Sequence, residues 1–77
     1  MNLFIYNLEG TLYEGKTDCL SMPAEDGEIS VLPHHAPLVT SLKKGVLKIK
    51  NETETKEIPI EKGFVYIDGQ NTIILSD

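Results

Sequence analysis

Glycine and proline interrupt every apolar run in this chain before it reaches the length of a three-turn helix, and the runs themselves are rich in β-branched residues. This punctuation restricts the fold to short strands joined by tight turns. The runs Leu3-Phe4-Ile5-Tyr6, Thr11-Leu12-Tyr13-Glu14, Thr17 to Met22, and Glu28-Ile29-Ser30-Val31-Leu32 all read as strands. So do Pro37 to Leu42, Val46 to Lys50, Thr53 to Ile60, Phe64 to Ile67 and Thr72 to Leu75. Within Val46–Lys50, Leu47 and Ile49 share one face and Lys48 and Lys50 the other, as a half-buried strand requires. Turns fall at Leu8-Glu9-Gly10, at Ala24-Glu25-Asp26-Gly27 with its Asp-Gly pair, at Lys44-Gly45, at Lys62-Gly63 and at Asp68-Gly69, and Gly15 is a kink or a turn. Pro59 marks the Thr53–Ile60 segment as an edge strand. The expected fold is all-β, with eight to ten short strands formed by residues 1–77 as one domain, arranged as a sandwich or a small barrel.

At 77 residues the chain holds a single core. A chain of that size hides roughly 60% of its unfolded surface on folding, which leaves stability marginal. Cys19 is the lone cysteine, so no intrachain disulfide can staple the fold, and a strand-borne thiol with only Lys16 nearby reads as buried and inert. Partner subunits are the remaining source of stability. Seven Lys and no Arg stand against twelve acidic residues, for a net charge of −5. With no basic patch to displace counterions and no guanidinium to read phosphate, nucleic acid is excluded as a partner. No apolar run approaches the ~20 residues of a membrane-spanning helix, and no secretory leader is visible, so direct membrane insertion is not expected.

The residues offer little chemistry. His34 and His35 are adjacent, and consecutive residues of an extended segment point to opposite sides, so one metal does not take both. Ser21, Ser30, Ser41 and Ser76 lack a nucleophile elbow, and no glycine-rich phosphate loop exists. No catalytic residue, cofactor or metal is therefore expected. Glu25, Asp26 and Glu28 cluster around Gly27, either as a solvated hairpin tip or as an acidic knob that meets a basic surface.

Three segments narrow the field. The first runs Asp26-Gly27-Glu28-Ile29-Ser30-Val31-Leu32-Pro33-His34-His35-Ala36-Pro37-Leu38, the second Leu42-Lys43-Lys44-Gly45-Val46-Leu47-Lys48-Ile49. The third is Gly63-Phe64-Val65 followed by Asn71-Thr72-Ile73-Ile74-Leu75-Ser76-Asp77. In order and spacing they resemble the epsilon subunits of bacterial F-type ATP synthases (delta in mitochondrial naming). Lys44, Ser30 and Lys62 depart from the Pro, Gly and Gly common at those positions of the family.

The resemblance implies an antiparallel β-sandwich of about ten strands, and a non-catalytic rotor subunit of the central stalk, linking gamma to the membrane c-ring and coupling proton or sodium translocation to ATP synthesis. It implies a place on the cytoplasmic face of the bacterial inner membrane, as part of the F1 sector. It assigns the c-ring contact to Glu25, Asp26, Gly27 and Glu28, and the gamma contact to Asn7, His35 and Thr40. Family members continue into a C-terminal helical hairpin that inhibits hydrolysis. This sequence stops at Asp77, so neither that inhibition nor ATP binding is expected of it. The alternatives are a free-standing β-sandwich that binds a peptide or small ligand, which needs a concave apolar pocket, and a histidine-dependent metalloenzyme.

Overall fold

The computed structural model describes residues 1–34 and 36–77. Among the described residues there are nine strands and no helix. They are β1 (Asn2–Asn7), β2 (Gly10–Lys16), β3 (Cys19–Ala24), β4 (Gly27–Val31), β5 (Leu38–Leu42), β6 (Gly45–Lys50), β7 (Thr55–Ile60), β8 (Gly63–Asp68) and β9 (Asn71–Ser76). Nothing in them is a helix long and apolar enough to cross a membrane.

The strands form one sheet in the order β2-β1-β9-β8-β5-β3-β6-β7, with β4 on the remaining side of β3. β3 is the hinge of this arrangement. One of its edges carries β4 along Leu20–Ala24. Its other edge is divided: Cys19–Ser21 pair with β6, and Ala24 alone pairs with Leu42 of β5. That division curls the sheet, so β2-β1-β9-β8-β5 and β4-β3-β6-β7 enclose one core. Leu3, Ile5, Leu20, Met22, Val31, Leu42, Leu47, Ile49, Ile60, Val65, Ile67 and Ile74 fill it, drawn from eight of the nine strands. Burial of these aliphatic side chains is the main driving force for the fold. The outermost strands β2 and β7 meet where the Lys56 ammonium lies 5.7 Å from the Tyr13 ring centroid.

The runs read as strands are strands, with ends shifted by a residue or two, and several other expectations change. β1 and β9 pair in parallel, from Asn2 opposite Asn71 to Tyr6 opposite Leu75, so the sheet is mixed rather than wholly antiparallel. Reading one hairpin after another cannot reveal such a pair, because nearly the whole chain forms the crossover between them. Gly15 is not a turn: it lies within β2 opposite Leu3. Thr17 precedes β3 rather than beginning it, and its buried hydroxyl lies 3.1 Å from the Cys19 carbonyl and 3.0 Å from that of Lys50. Cys19 is half-buried, not buried. Pro59 sits on β7, an outermost strand, where its missing N–H is tolerated.

Candidate docking surfaces

Strands β5, β8, β9 and β1 lie side by side, and their outward side chains fall into two cross-strand rows. Val39, Tyr66, Ile73 and Phe4 make the first; Ser41, Phe64, Leu75 and Tyr6 make the second. Val39 is 65% exposed, Phe64 61%, Leu75 55% and Tyr66 48%, while the Phe4 and Tyr6 rings stack with centroids 6.5 Å apart. Inward residues of the same strands, such as Val65 and Ile74, are fully buried. These strands are thus apolar on both faces, a pattern expected when both faces are covered. The outer face of the opposing layer is different, for there the row Ser30–Ser21–Lys48–Glu57 is polar. The two rows form a contiguous apolar surface of the kind used for contact with a partner.

At one end the apolar face runs into an open groove of about 390 Å³. Leu8, Leu42, Phe64 and Leu75 supply its apolar lining, and Glu25, Lys62 and Asp77 its charges. The main chain ties this end together: Lys43 N donates to Pro23 O at 2.8 Å, Glu25 N to Ser41 O at 3.3 Å, and Asp77 N to Lys62 O at 3.3 Å.

The acidic knob expected from the sequence is a two-residue hairpin loop, Glu25-Asp26, between β3 and β4. Both side chains are exposed, as is Glu28 opposite Pro23, and Gly27 takes φ 130°, a conformation that side-chain-bearing residues rarely adopt. The one ion pair among the described residues, Lys44–Glu61 at 3.9 Å, does not involve them. Their charge is therefore free to meet a cationic surface.

Of the three residues matched to a gamma contact, two are described, and neither side chain stands in the apolar rows. Asn7 closes the β1–β2 turn, its Oδ1 accepting from Glu9 N at 2.9 Å and Gly10 N at 3.1 Å. Thr40 is half-buried opposite Val65, on the inward side of β5 with Leu38 and Leu42. His35 lies outside the described residues. The outward neighbours of Thr40, Val39 and Ser41, belong to the apolar face instead. The sequence did carry a signal for that face: Phe64-Val65-Tyr66-Ile67 and Ile73-Ile74-Leu75 are apolar without alternation. Among the described residues no three His, Cys, Asp or Glu side chains are grouped to hold a metal ion.

Comparison with known proteins is consistent throughout. A family model described as the ATP synthase, Delta/Epsilon chain, beta-sandwich domain matches residues 1–77. The ATP synthase epsilon chain of Leptospira borgpetersenii serovar Hardjo-bovis (strain JB197) is 38% identical over all 77 residues, which span 61% of that relative. The epsilon chain of Dehalococcoides mccartyi (strain CBDB1) is 34% identical over the same length, spanning 55% of it. The chain thus spans little more than half the length of these relatives. Among solved structures, a chain of the Euglena gracilis mitochondrial ATP synthase (OSCP/F1/c-ring, rotational state 1) superposes with a TM-score of 0.89 at 19% identity, over 96% of this chain and 48% of that one. A chain of the Tetrahymena thermophila mitochondrial ATP synthase central stalk and c-ring gives 0.82 at 12% identity, over 99% and 62% respectively. At these identities the two structures establish the shared fold.

Proposed function

The chain belongs to the delta/epsilon β-sandwich family of ATP synthase, and from that premise we propose that it is a non-catalytic coupling element of the enzyme's central stalk. It binds the gamma subunit through the apolar face of β1, β9, β8 and β5. It meets the polar loops of the c-ring through the acidic tip formed by Glu25, Asp26, Gly27 and Glu28. In this role it sits peripherally in the F1 sector, on the cytoplasmic face of a bacterial inner membrane. It transmits rotation between ion translocation and ATP synthesis without touching nucleotide.

The observation that carries the reading is the two-row face of Val39, Tyr66, Ile73 and Phe4 beside Phe64, Leu75 and Tyr6, on a chain whose net charge is otherwise −5. So much exposed aromatic and aliphatic surface on a small acidic domain is unfavourable in water and favourable against an apolar partner. The acidic tip adds electrostatic complementarity to loops bearing Lys or Arg. The two surfaces lie on one compact body with a radius of gyration of 11.1 Å, so a partner on each is held in fixed relation to the other.

The test is direct. Purified gamma subunit from the same organism, mixed with this protein at micromolar concentration, is expected to co-migrate with it in gel filtration as a one-to-one complex. Separate migration of the two proteins overturns the reading.

A further inference from the structure

Granting that gamma binds the apolar face, we propose that Leu8 is the anchor of that dock: its side chain enters an apolar socket on gamma whose rim carries Lys or Arg facing Glu9 and Glu25, the latter at the border where the gamma surface adjoins the acidic tip. Leu8 is 94% exposed, the most exposed large hydrophobic side chain among the described residues, and it takes no part in the core. It occupies the two-residue loop Leu8-Glu9 between β1 and β2. Turn chemistry favours Gly, Asn, Asp or Ser at such a place, so the fold itself gives no reason for a leucine there.

The backbone that presents Leu8 is already fixed. Asn7 Oδ1 accepts from both Glu9 N and Gly10 N, and Gly10 takes φ 139°, which closes the turn around the leucine. A side chain held on a pre-set turn loses little further freedom when it binds, so more of its burial contributes to affinity.

Its position extends the face. Leu8 lines the end groove together with Leu42 and with Phe64 and Leu75 of the second apolar row, so covering it enlarges one continuous contact. The surrounding charge then selects the partner. Glu9 neighbours Leu8 in the loop, and Glu25 and Asp77 line the groove against one cation, Lys62. Carboxylates covered without a cation are costly, so the covering surface must bring positive charge. A second copy of this chain would instead set Glu9 and Glu25 against their own kind, which disfavours self-association as the use of this surface.

Isothermal titration of purified gamma into wild-type protein, Leu8→Ala, Leu8→Met and the pair Glu9→Gln/Glu25→Gln, each at low and high salt, tests the proposal. Leu8→Ala is expected to weaken binding roughly ten- to a hundred-fold, the loss expected when a fully buried leucine is truncated. Its melting temperature should be unchanged, and Leu8→Met should restore most of the affinity. The carboxamide pair should weaken binding severalfold at low salt, with the difference from wild type shrinking at high salt. If wild type binds gamma while Leu8→Ala binds within twofold of it, the anchor is refuted and the reading of the apolar face stands. An effect of the carboxamide pair that is absent, or independent of salt, refutes the charged rim. Failure of wild type to bind gamma at all overturns both readings.

Discussion

Phe64→Ala tests the apolar face most directly, because its effect on binding and its effect on folding can be separated in advance. Complete burial of a phenylalanine side chain contributes about 1.5–3 kcal/mol. Phe64 is 61% exposed in the free protein, so a partner can recover about 1–2 kcal/mol by covering it. That corresponds to a roughly five- to thirty-fold rise in the Kd for gamma. The part of the ring already packed against its cross-strand neighbours Ser41 and Leu75 limits the folding penalty to under about 1 kcal/mol. For a domain of this size the melting temperature should then fall by less than about 8 °C. Titration calorimetry at several temperatures is the assay. Burial of apolar surface gives binding a negative heat-capacity change, which should be smaller in magnitude for the variant. An unchanged Kd for a folded Phe64→Ala protein would refute the assignment of this face to gamma.

Two other perturbations probe separate parts of the molecule. Glu28→Lys reverses an exposed charge beside the hairpin tip and should leave the melting temperature within a few degrees of wild type, while reconstituted enzyme carrying it shows weakened attachment to the c-ring and poorer coupling of ion flow to ATP synthesis; unchanged coupling removes Glu28 from the contact. Gly63→Ala places a methyl group against the Leu75 carbonyl and within 3.2 Å of Ser76 Cα, both backbone atoms that cannot swing aside, so a loss of about 3 kcal/mol and a fall in melting temperature on the order of 10–20 °C are expected in a thermal unfolding scan.

Local chemistry made the strands and turns legible, and its reach ended where pairing became long-range. Gly27, Gly45 and Gly63 each begin a strand at the place the punctuation indicated. The alternation Leu47, Ile49 against Lys48, Lys50 correctly placed the core face of β6, where both aliphatic residues are buried. Gly15 stayed open between a kink and a turn because a glycine within a strand looks the same in sequence as one in a turn, and only its place opposite Leu3 distinguishes them. The parallel β1–β9 pair had no local signature, since its two members are separated by nearly the whole chain. For the acidic tip, four consecutive residues suffice to define the hairpin, so its address could be read directly. The apolar face is assembled from four strands whose neighbours are fixed by topology, so Val39, Tyr66, Ile73 and Phe4 become a row only once the sheet order is known. Asn7 and Thr40, matched by position in the family, stand outside that row, because one side chain closes a turn and the other points inward.

The two proposed contacts are mechanically close as well as chemically distinct. The acidic tip caps β3, and the apolar face includes β5. These strands meet at the single pair Ala24–Leu42, reinforced by the hydrogen bonds from Lys43 N to Pro23 O and from Glu25 N to Ser41 O. Glu25 therefore belongs to the tip by sequence and is bonded through its own backbone to Ser41, whose side chain stands in the second row of the apolar face. With only Glu25 and Asp26 in the hairpin loop, no long loop separates the proposed c-ring contact from the proposed gamma contact. A coupling element that passes torque from one partner to another must not store the rotation in its own deformation. A two-residue loop hydrogen-bonded to the neighbouring strand meets that requirement better than a long mobile arm. In the proposed role the same seam lets a domain of marginal size gain stability from its partners: each partner that covers an exposed surface stabilises the body that holds the other.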